Sequence, residues 1–151
     1  MERRAAHLVR DALKIGSIAP VKVKKEWRGN RWEQMNLALL PGYIFACSTT
    51  QLDIRRVCDL PHIQKVLRYP DGSAALYGRD RVFASWLMEH NGIVGVSSAI
   101  MEGDRVKVIS GPLKDLEGMI VKVDKRKQIA KVAFTTCGSI KHFWLSFEIL
   151  Q

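Results

Sequence analysis

The residues of this sequence best suited to chemistry are cations and flat aromatic rings crowded between positions 22 and 32. Tryptophan rings, here Trp27 and Trp32, can stack on nucleic-acid bases, while ammonium and guanidinium groups bind phosphates. The cations of this cluster are Lys22, Lys24, Lys25, Arg28 and Arg31. The pattern predicts a surface that binds RNA or DNA; the alternative is a hairpin whose charges are simply solvated.

A second set of cations lies in the last third of the chain. Lys125, Arg126 and Lys127 are adjacent and fall between two strand-like segments, which predicts an exposed turn. Lys107, Lys114 and Lys131 would extend the same patch. Three adjacent cations favour RNA as the ligand over a protein partner that offers an apolar groove.

The charge of the whole chain agrees with such a ligand. Net charge is +9 and the isoelectric point is about 9.7, as expected of a protein that works beside phosphates, although small proteins are often basic for other reasons. No apolar run approaches the roughly 20 residues that span a bilayer, and residues 1–10 lack the apolar core of a secretion signal. The expected location is therefore the cytoplasm.

Catalytic and metal-binding signatures are not found in the sequence. It has no nucleophile–base pair, glycine-rich phosphate loop or CxxC pair, and neither His62 nor His142 stands at ligand spacing from a cysteine. Cys47, Cys58 and Cys137 are far apart and lie among apolar residues, which predicts buried, reduced thiols. We expect no enzymatic activity and no cofactor.

Residues 1–91 read as a mixture of helices and strands. Apolar residues at helical spacing predict helices over 3–15, 51–60 and 79–91, the second capped by Thr50. Alternation predicts strands across 21–47, with a turn at 28–30 and a last strand at 43–47, and a further strand over 62–69. The last helix carries an apolar stripe that is either core or a docking face: Val82, Phe83, Trp86 and Leu87.

The remaining residues have a different character. Residues 92–100 contain two glycines, two serines and no charge, and are predicted to form a linker. From Met101 onward, short strands with turns between them predict a small closed barrel. Their β-branched and aromatic residues, together with Gly111-Pro112 and Gly118, predict that this segment forms strands and does not switch to helices.

Residues 102–124 (EGDRVKVISGPLKDLEGMIVKVD) closely resemble the KOW motif. That motif also occurs in ribosomal proteins, so by itself it implies a barrel associated with nucleic acids. Residues 39–46 (LLPGYIFA) resemble a segment of the amino-terminal NGN domain of NusG-type transcription elongation factors, and the closing GSIKHFWLSFEIL resembles their carboxyl end. Within that family, residues 102–104, 111–113 and 124–127 look like the LoaP group of specialised antitermination paralogs; housekeeping NusG is the alternative.

This resemblance implies an α+β fold with an NGN domain at 1–91, a linker at 92–100 and a KOW domain at 101–151. NGN domains have an antiparallel sheet with flanking helices. Their usual first strand, which reads like WYVLQ, does not precede the first helix here. The resemblance therefore also implies an unpaired sheet edge at that position.

The resemblance also implies partners. Leu40, Tyr43 and Phe45 would contact the clamp helices of the largest subunit of RNA polymerase, and Arg55 and Arg56 could reach the opposite side of the polymerase cleft. For these side chains the alternatives are core packing and solvated charge. The RNA would be a leader hairpin, and the KOW domain would bind ribosomal protein S10, the termination factor Rho or RNA. A monomer with no membrane contact is expected.

Overall fold

The structure is a computed structural model that describes residues 1–136 and 139–150, and these residues divide into two compact units. The first unit contains residues 1–20 and 40–92. The second contains residues 21–39 and the described residues from 93 onward. The hairpin expected within the first 91 residues therefore groups with the carboxy-terminal strands.

The first unit consists of three helices and a small sheet. Its elements are α1 (Glu2–Leu13), β1 (Gly16–Ile18), β4 (Phe45–Cys47), α2 (Ile54–Cys58) and α3 (Gly78–Glu89). The two strands pair antiparallel, with Gly16 opposite Cys47. Helix α1 buries Ala5, Ala6 and Val9 and ends at Lys14, whose backbone is left-handed.

Several predictions in the first unit need correction. Residues 62–69 form no strand, and strand β4 begins at Phe45 rather than at Tyr43. Asp53, not Thr50, caps α2, because its carboxylate accepts the Arg55 N–H at 3.1 Å in the first turn.

The thiols also differ from expectation. Cys47 and Cys58 are exposed, because β4 and α2 turn these positions outward, and Cys137 lies outside the described residues.

Helix α3 and its end follow the sequence pattern in part. Phe83 and Leu87 are buried, whereas Val82 is 70% exposed and so does not belong to the core stripe. The helix ends at Glu89, and Asn91 and Gly92, the residues expected to terminate it, follow closely with positive φ. The Gly92 N–H donates to the Leu87 carbonyl at 2.7 Å and satisfies one of the last helical acceptors.

The second unit contains two sheets. One has three strands in the order β3-β2-β5, and the other has five in the order β7-β6-β10-β9-β8. Their elements are β2 (Val21–Arg28), β3 (Arg31–Ala38), β5 (Ile93–Val94), β6 (Ser97–Glu102), β7 (Arg105–Ser110), α4 (Pro112–Asp115), a 3-10 turn (Glu117–Met119), β8 (Ile120–Asp124), β9 (Ile129–Thr136) and β10 (Ser139–Ile149).

The five-stranded sheet is a curled half-barrel, and its strands together with α4 supply core residues of this unit. Leu113, Val132, Leu145 and Phe147 are almost fully buried there. Neighbouring strands are antiparallel except for β10 and β6, which run parallel. The segment is mainly strand as predicted, with α4 and the 3-10 turn as short helical exceptions.

The predicted linker at 92–100 contains strand residues in the structure. It carries β5 and the start of β6, and both Ser97 and Ala99 are buried. A segment of small, uncharged residues is compatible with a flexible linker, but it is equally compatible with a strand packed tightly against a neighbour. Within the described residues, no helix has the length and apolar character needed to cross a membrane.

Candidate nucleic-acid interface

The basic hairpin (residues 21–38) is a regular antiparallel ribbon. Strands β2 and β3 pair from Val21 opposite Ala38 to Arg28 opposite Arg31. The two turn residues, Gly29 and Asn30, have φ of 51° and 74°, the left-handed pair that a two-residue hairpin turn requires. The sequence predicted this turn correctly.

The register divides the cations of the hairpin between its two faces. Side chains alternate along a strand, so Lys22, Lys24 and Arg28 lie on one face of β2, while Lys25 lies on the other with Trp27. Trp32 is directly opposite Trp27 and shares its face. The cations and rings that are interleaved in sequence are therefore mostly separated in space.

The arginines at the tip are paired with glutamates on their own strands. Arg28 reaches Glu26 at 3.0 Å, and Arg31 reaches Glu33 at 3.0 Å. Glu26 and Glu33 are directly opposite each other, so this end of the face carries two positive and two negative charges. Its attraction for phosphate is correspondingly small.

The opposite face carries the aromatic pair. Trp27 is 57% exposed and Trp32 is 43% exposed, and their rings meet edge to face with centroids 5.5 Å apart. The Nζ atom of Lys25 lies 4.5 Å from the centroid of Trp32, within range of a cation–π contact. This tryptophan face is defined by Lys25, Trp27 and Trp32.

Lys25 fastens the tryptophan face to the five-stranded sheet. Its Nζ atom donates to Oε1 of Gln128 at 2.6 Å, and its backbone N–H donates to Oγ of Ser146 at 3.4 Å. Only 8% of the residue is exposed. Burial lowers the pKa of Lys25, and the charge of Glu148 partly opposes that effect.

Lys22 makes a second attachment to the same sheet. Its Nζ atom donates to the carbonyl of Trp144 at 2.8 Å, and burial, followed by repulsion from Lys24, lowers its pKa. Lys22 and Lys25 therefore serve first as structural contacts of the hairpin, although the sequence predicts both as phosphate ligands.

The cation loop (residues 125–128) connects β8 to β9 and projects as an exposed turn. The carboxylate of Asp124 accepts a hydrogen bond from the Lys127 N–H at 2.9 Å and so stabilises the turn. Gln128, the last residue of the loop, has a φ of 54°. Lys125 donates from Nζ to the carbonyl of Asp104 in the neighbouring β6–β7 turn. Arg126 and Lys127 are exposed, and among residues 1–136 and 139–150 no ion pair engages either side chain.

The three cations predicted to extend this patch are less available. Lys107 lies 3.9 Å from Glu102, and Lys114 lies 3.1 Å from Glu117, so each has a carboxylate beside it. Lys131 faces the ring of Trp144 at 5.9 Å from its centroid. Of these predicted cations, Arg126 and Lys127 are therefore the ones with no carboxylate or aromatic ring beside them among the described residues.

Gln128 and Ser146 were not foreseen from the sequence, yet they join the two predicted basic regions. Gln128 directly follows Lys127, so its contact with Lys25 brings the cation loop beside the tryptophan face. No local pattern marks a glutamine or serine as a partner of a residue more than a hundred positions away. Only the packing of the hairpin on the sheet reveals it.

The residues expected to contact a polymerase lie in the first unit. Leu40 is buried at 8% exposure, which suits a core residue better than a contact residue, while Tyr43 and Phe45 are half-buried. Two hydrogen bonds stabilise the turn between Leu40 and Tyr43. The Tyr43 N–H donates to the Leu40 carbonyl at 3.1 Å, and the Gly42 N–H donates to Oε1 of Glu2 at 2.8 Å. Arg55 and Arg56 are exposed on α2.

Comparison with known protein families decides what the second unit contains. Residues 102–132 match the KOW motif. The match runs from the end of β6, through β7 and β8, to the middle of β9, and it includes the whole cation loop. It supports, at a coarse level, a protein of the NusG or KOW type with an RNA-binding, ribosome-associated or NusG-like function.

Two further findings bear on function. A comparison with curated proteins finds no match to this chain. Among the described residues, no group of three or more histidine, cysteine, aspartate or glutamate side chains is placed to hold a metal ion.

Proposed function

We propose that this chain is a transcription factor of the NusG type that binds RNA through its second unit, binds RNA polymerase through its first, and catalyses no reaction. One observation carries the RNA part: the KOW motif includes an exposed loop of three adjacent cations. The proposed setting is the cytoplasm, and the proposed state is a monomer.

The electrostatics of the cation loop support RNA as its ligand. Arg126 and Lys127 extend into solvent without a carboxylate partner among the described residues, so they are free to displace counterions from a phosphate backbone. An RNA hairpin would be held mainly through phosphates and shape, which needs projecting cations more than a pocket. A leader hairpin of a target operon is the proposed RNA.

The polymerase part rests on the resemblance of LLPGYIFA to the NGN segment that docks on the clamp helices. Tyr43 and Phe45 retain some exposure, and aromatic side chains are frequent anchors at interfaces. Arg55 and Arg56 add exposed charge on α2. We propose antitermination of the LoaP kind as the specific role; coupling through ribosomal protein S10 or Rho, as in housekeeping NusG, is the alternative within the family.

A ribosome-associated protein is the second candidate, because KOW motifs also occur in ribosomal proteins. The two candidates differ in the complex that retains the full chain. The tagged chain should retain RNA polymerase core enzyme from a defined mixture of polymerase and ribosomal subunits. Retention of ribosomal subunits alone would favour the second candidate.

Tyr43→Ala tests the polymerase contact directly. Loss of an aromatic anchor should weaken binding to the polymerase clamp helices by ~1–2 kcal/mol and leave RNA affinity unchanged. Val82→Ala, at an exposed position of α3, is the control and should change neither. If Tyr43→Ala unfolds the protein instead, as judged by its thermal transition, Tyr43 is a core residue and its role in binding is wrong.

A further inference from the structure

The tryptophan face and the cation loop are parts of one surface. Lys25 contacts both, with its Nζ atom 4.5 Å from the Trp32 ring centroid and 2.6 Å from Oε1 of Gln128, the last residue of the loop. Both parts lie within the second unit. A ligand that extends over this surface meets exposed indole rings at one side and exposed cations at the other.

The chemistry of the two parts is complementary to different parts of a nucleotide. Exposed tryptophan rings offer flat surfaces on which a base can stack, but only if that base is not already paired and stacked inside a duplex. The cation loop carries three positive charges against the one carboxylate of Asp124, which suits a phosphate backbone.

The hairpin tip has a second face, and its composition argues against it as the binding face. There Arg28 and Arg31 are neutralised by Glu26 and Glu33, and the glutamates would repel phosphates. Only the tryptophan face combines exposed rings with an approach to uncompensated cations.

We propose that this composite surface binds unpaired RNA, with bases stacked on Trp27 and Trp32 and the adjoining phosphates held by Arg126 and Lys127. The inference rests on the proposed RNA-binding function and narrows it to single-stranded segments, such as a loop or the strand beside a hairpin. Lys25 is a positioning residue, since it holds the hairpin against Gln128 and shields one side of Trp32.

The test uses the full chain and two fluorescent probes, an oligouridine strand and an RNA duplex of the same length. Trp27→Leu should weaken oligouridine binding about tenfold or more, as expected from the loss of one stacking partner, and should change duplex binding less than threefold. Trp27→Phe keeps a ring and should restore most of the affinity, which separates stacking from a folding defect.

Two double variants locate the surface. Arg126→Gln with Lys127→Gln should weaken binding of both probes and reduce the salt dependence of oligouridine binding by about 1.4 in the logarithmic slope. Arg79→Gln with Arg81→Gln is the matched control, with the same charge change at two exposed positions of α3 in the first unit, and should alter oligouridine affinity less than threefold.

The possible outcomes distinguish binding of unpaired RNA at this surface from RNA binding in general. Binding of the duplex but not of oligouridine by the unaltered chain would overturn this inference and leave RNA binding in place. Equal losses for both probes with Trp27→Leu, or a large loss with the control pair, would also overturn it. Failure to bind either probe would overturn the proposed RNA-binding function itself.

Discussion

At Gly111, the backbone and the packing both require a residue without a side chain. Its φ of 95° with ψ of −174° belongs to a region essentially limited to glycine. A Cβ atom there would lie 2.7 Å from the Cα atom of Ser97. Ser97 is itself fixed, because its Oγ accepts the buried N–H of Leu113 at 2.9 Å. The glycine thus sets how closely the turn after β7 approaches β6.

Gly111→Ala should lower the free energy of unfolding by about 2–6 kcal/mol, since backbone strain and an overpacked contact each contribute roughly 1–3 kcal/mol. Gly103→Ala is the matched control: φ there is 63°, and nothing lies within 4 Å of the added Cβ, so only backbone strain of about 1–2 kcal/mol applies. Urea unfolding of both variants measures the difference. Equal losses would mean that the approach to Ser97 is not tight.

At the scale of elements, the basic hairpin illustrates what local sequence determines. Strand alternation and the Gly29-Asn30 turn fixed both strands and their register, and with it the shared face of Trp27 and Trp32. The positions of α1, α3, β7 and the turn at Gly111 follow from the same kind of short-range pattern.

The elements that were mispredicted depend on distant partners. Residues 62–69 have strand-like composition but no strand partner among the described residues, and residues 97–102 are a strand because β7 and β10 flank them. The contacts at the candidate site also depend on distant partners, so the local sequence does not predict them. The sequence identified the cations of the hairpin, but the burial of Lys25 against Gln128 and Ser146 arises from packing between segments far apart in the chain.

The attachment of the hairpin through Lys25 predicts a pH dependence. Burial lowers the folded-state pKa of Lys25 below its unfolded value, so the charged form opposes folding at neutral pH. Between the folded pKa and about 10.5 the unfolded chain binds more protons, and the free energy of unfolding gains from this group as pH rises through that window.

Chemical unfolding of the full chain and of Lys25→Gln across this alkaline range tests the attachment. The unaltered chain should become more stable relative to Lys25→Gln as pH increases. The Lys122→Gln variant serves as the comparison, because it makes the same substitution at an exposed position of β8. A difference between the chain and Lys25→Gln that stays constant with pH would show that Lys25 is not desolvated.

At the scale of the whole molecule, the net charge of +9 comes from cations that differ in their availability to a ligand. Much of the positive charge of the hairpin is neutralised by glutamates or used in internal contacts, whereas the cation loop within the KOW motif remains exposed. A net-charge argument alone would have treated these cations as equivalent. The contacts distinguish those that hold the fold together from those that can bind a ligand.

The salt dependence of RNA binding by the full chain tests the central claim most directly. If cations of the second unit displace counterions from RNA, affinity for an RNA hairpin should fall at least tenfold between about 50 and 200 mM salt. Replacing Arg126 and Lys127 by glutamine should reduce the slope of log affinity against log salt concentration by about 1.8, which is about 0.9 for each lost phosphate contact. An affinity that does not change with salt, or a slope unaffected by the double substitution, would contradict the assignment of this loop as an RNA-binding site.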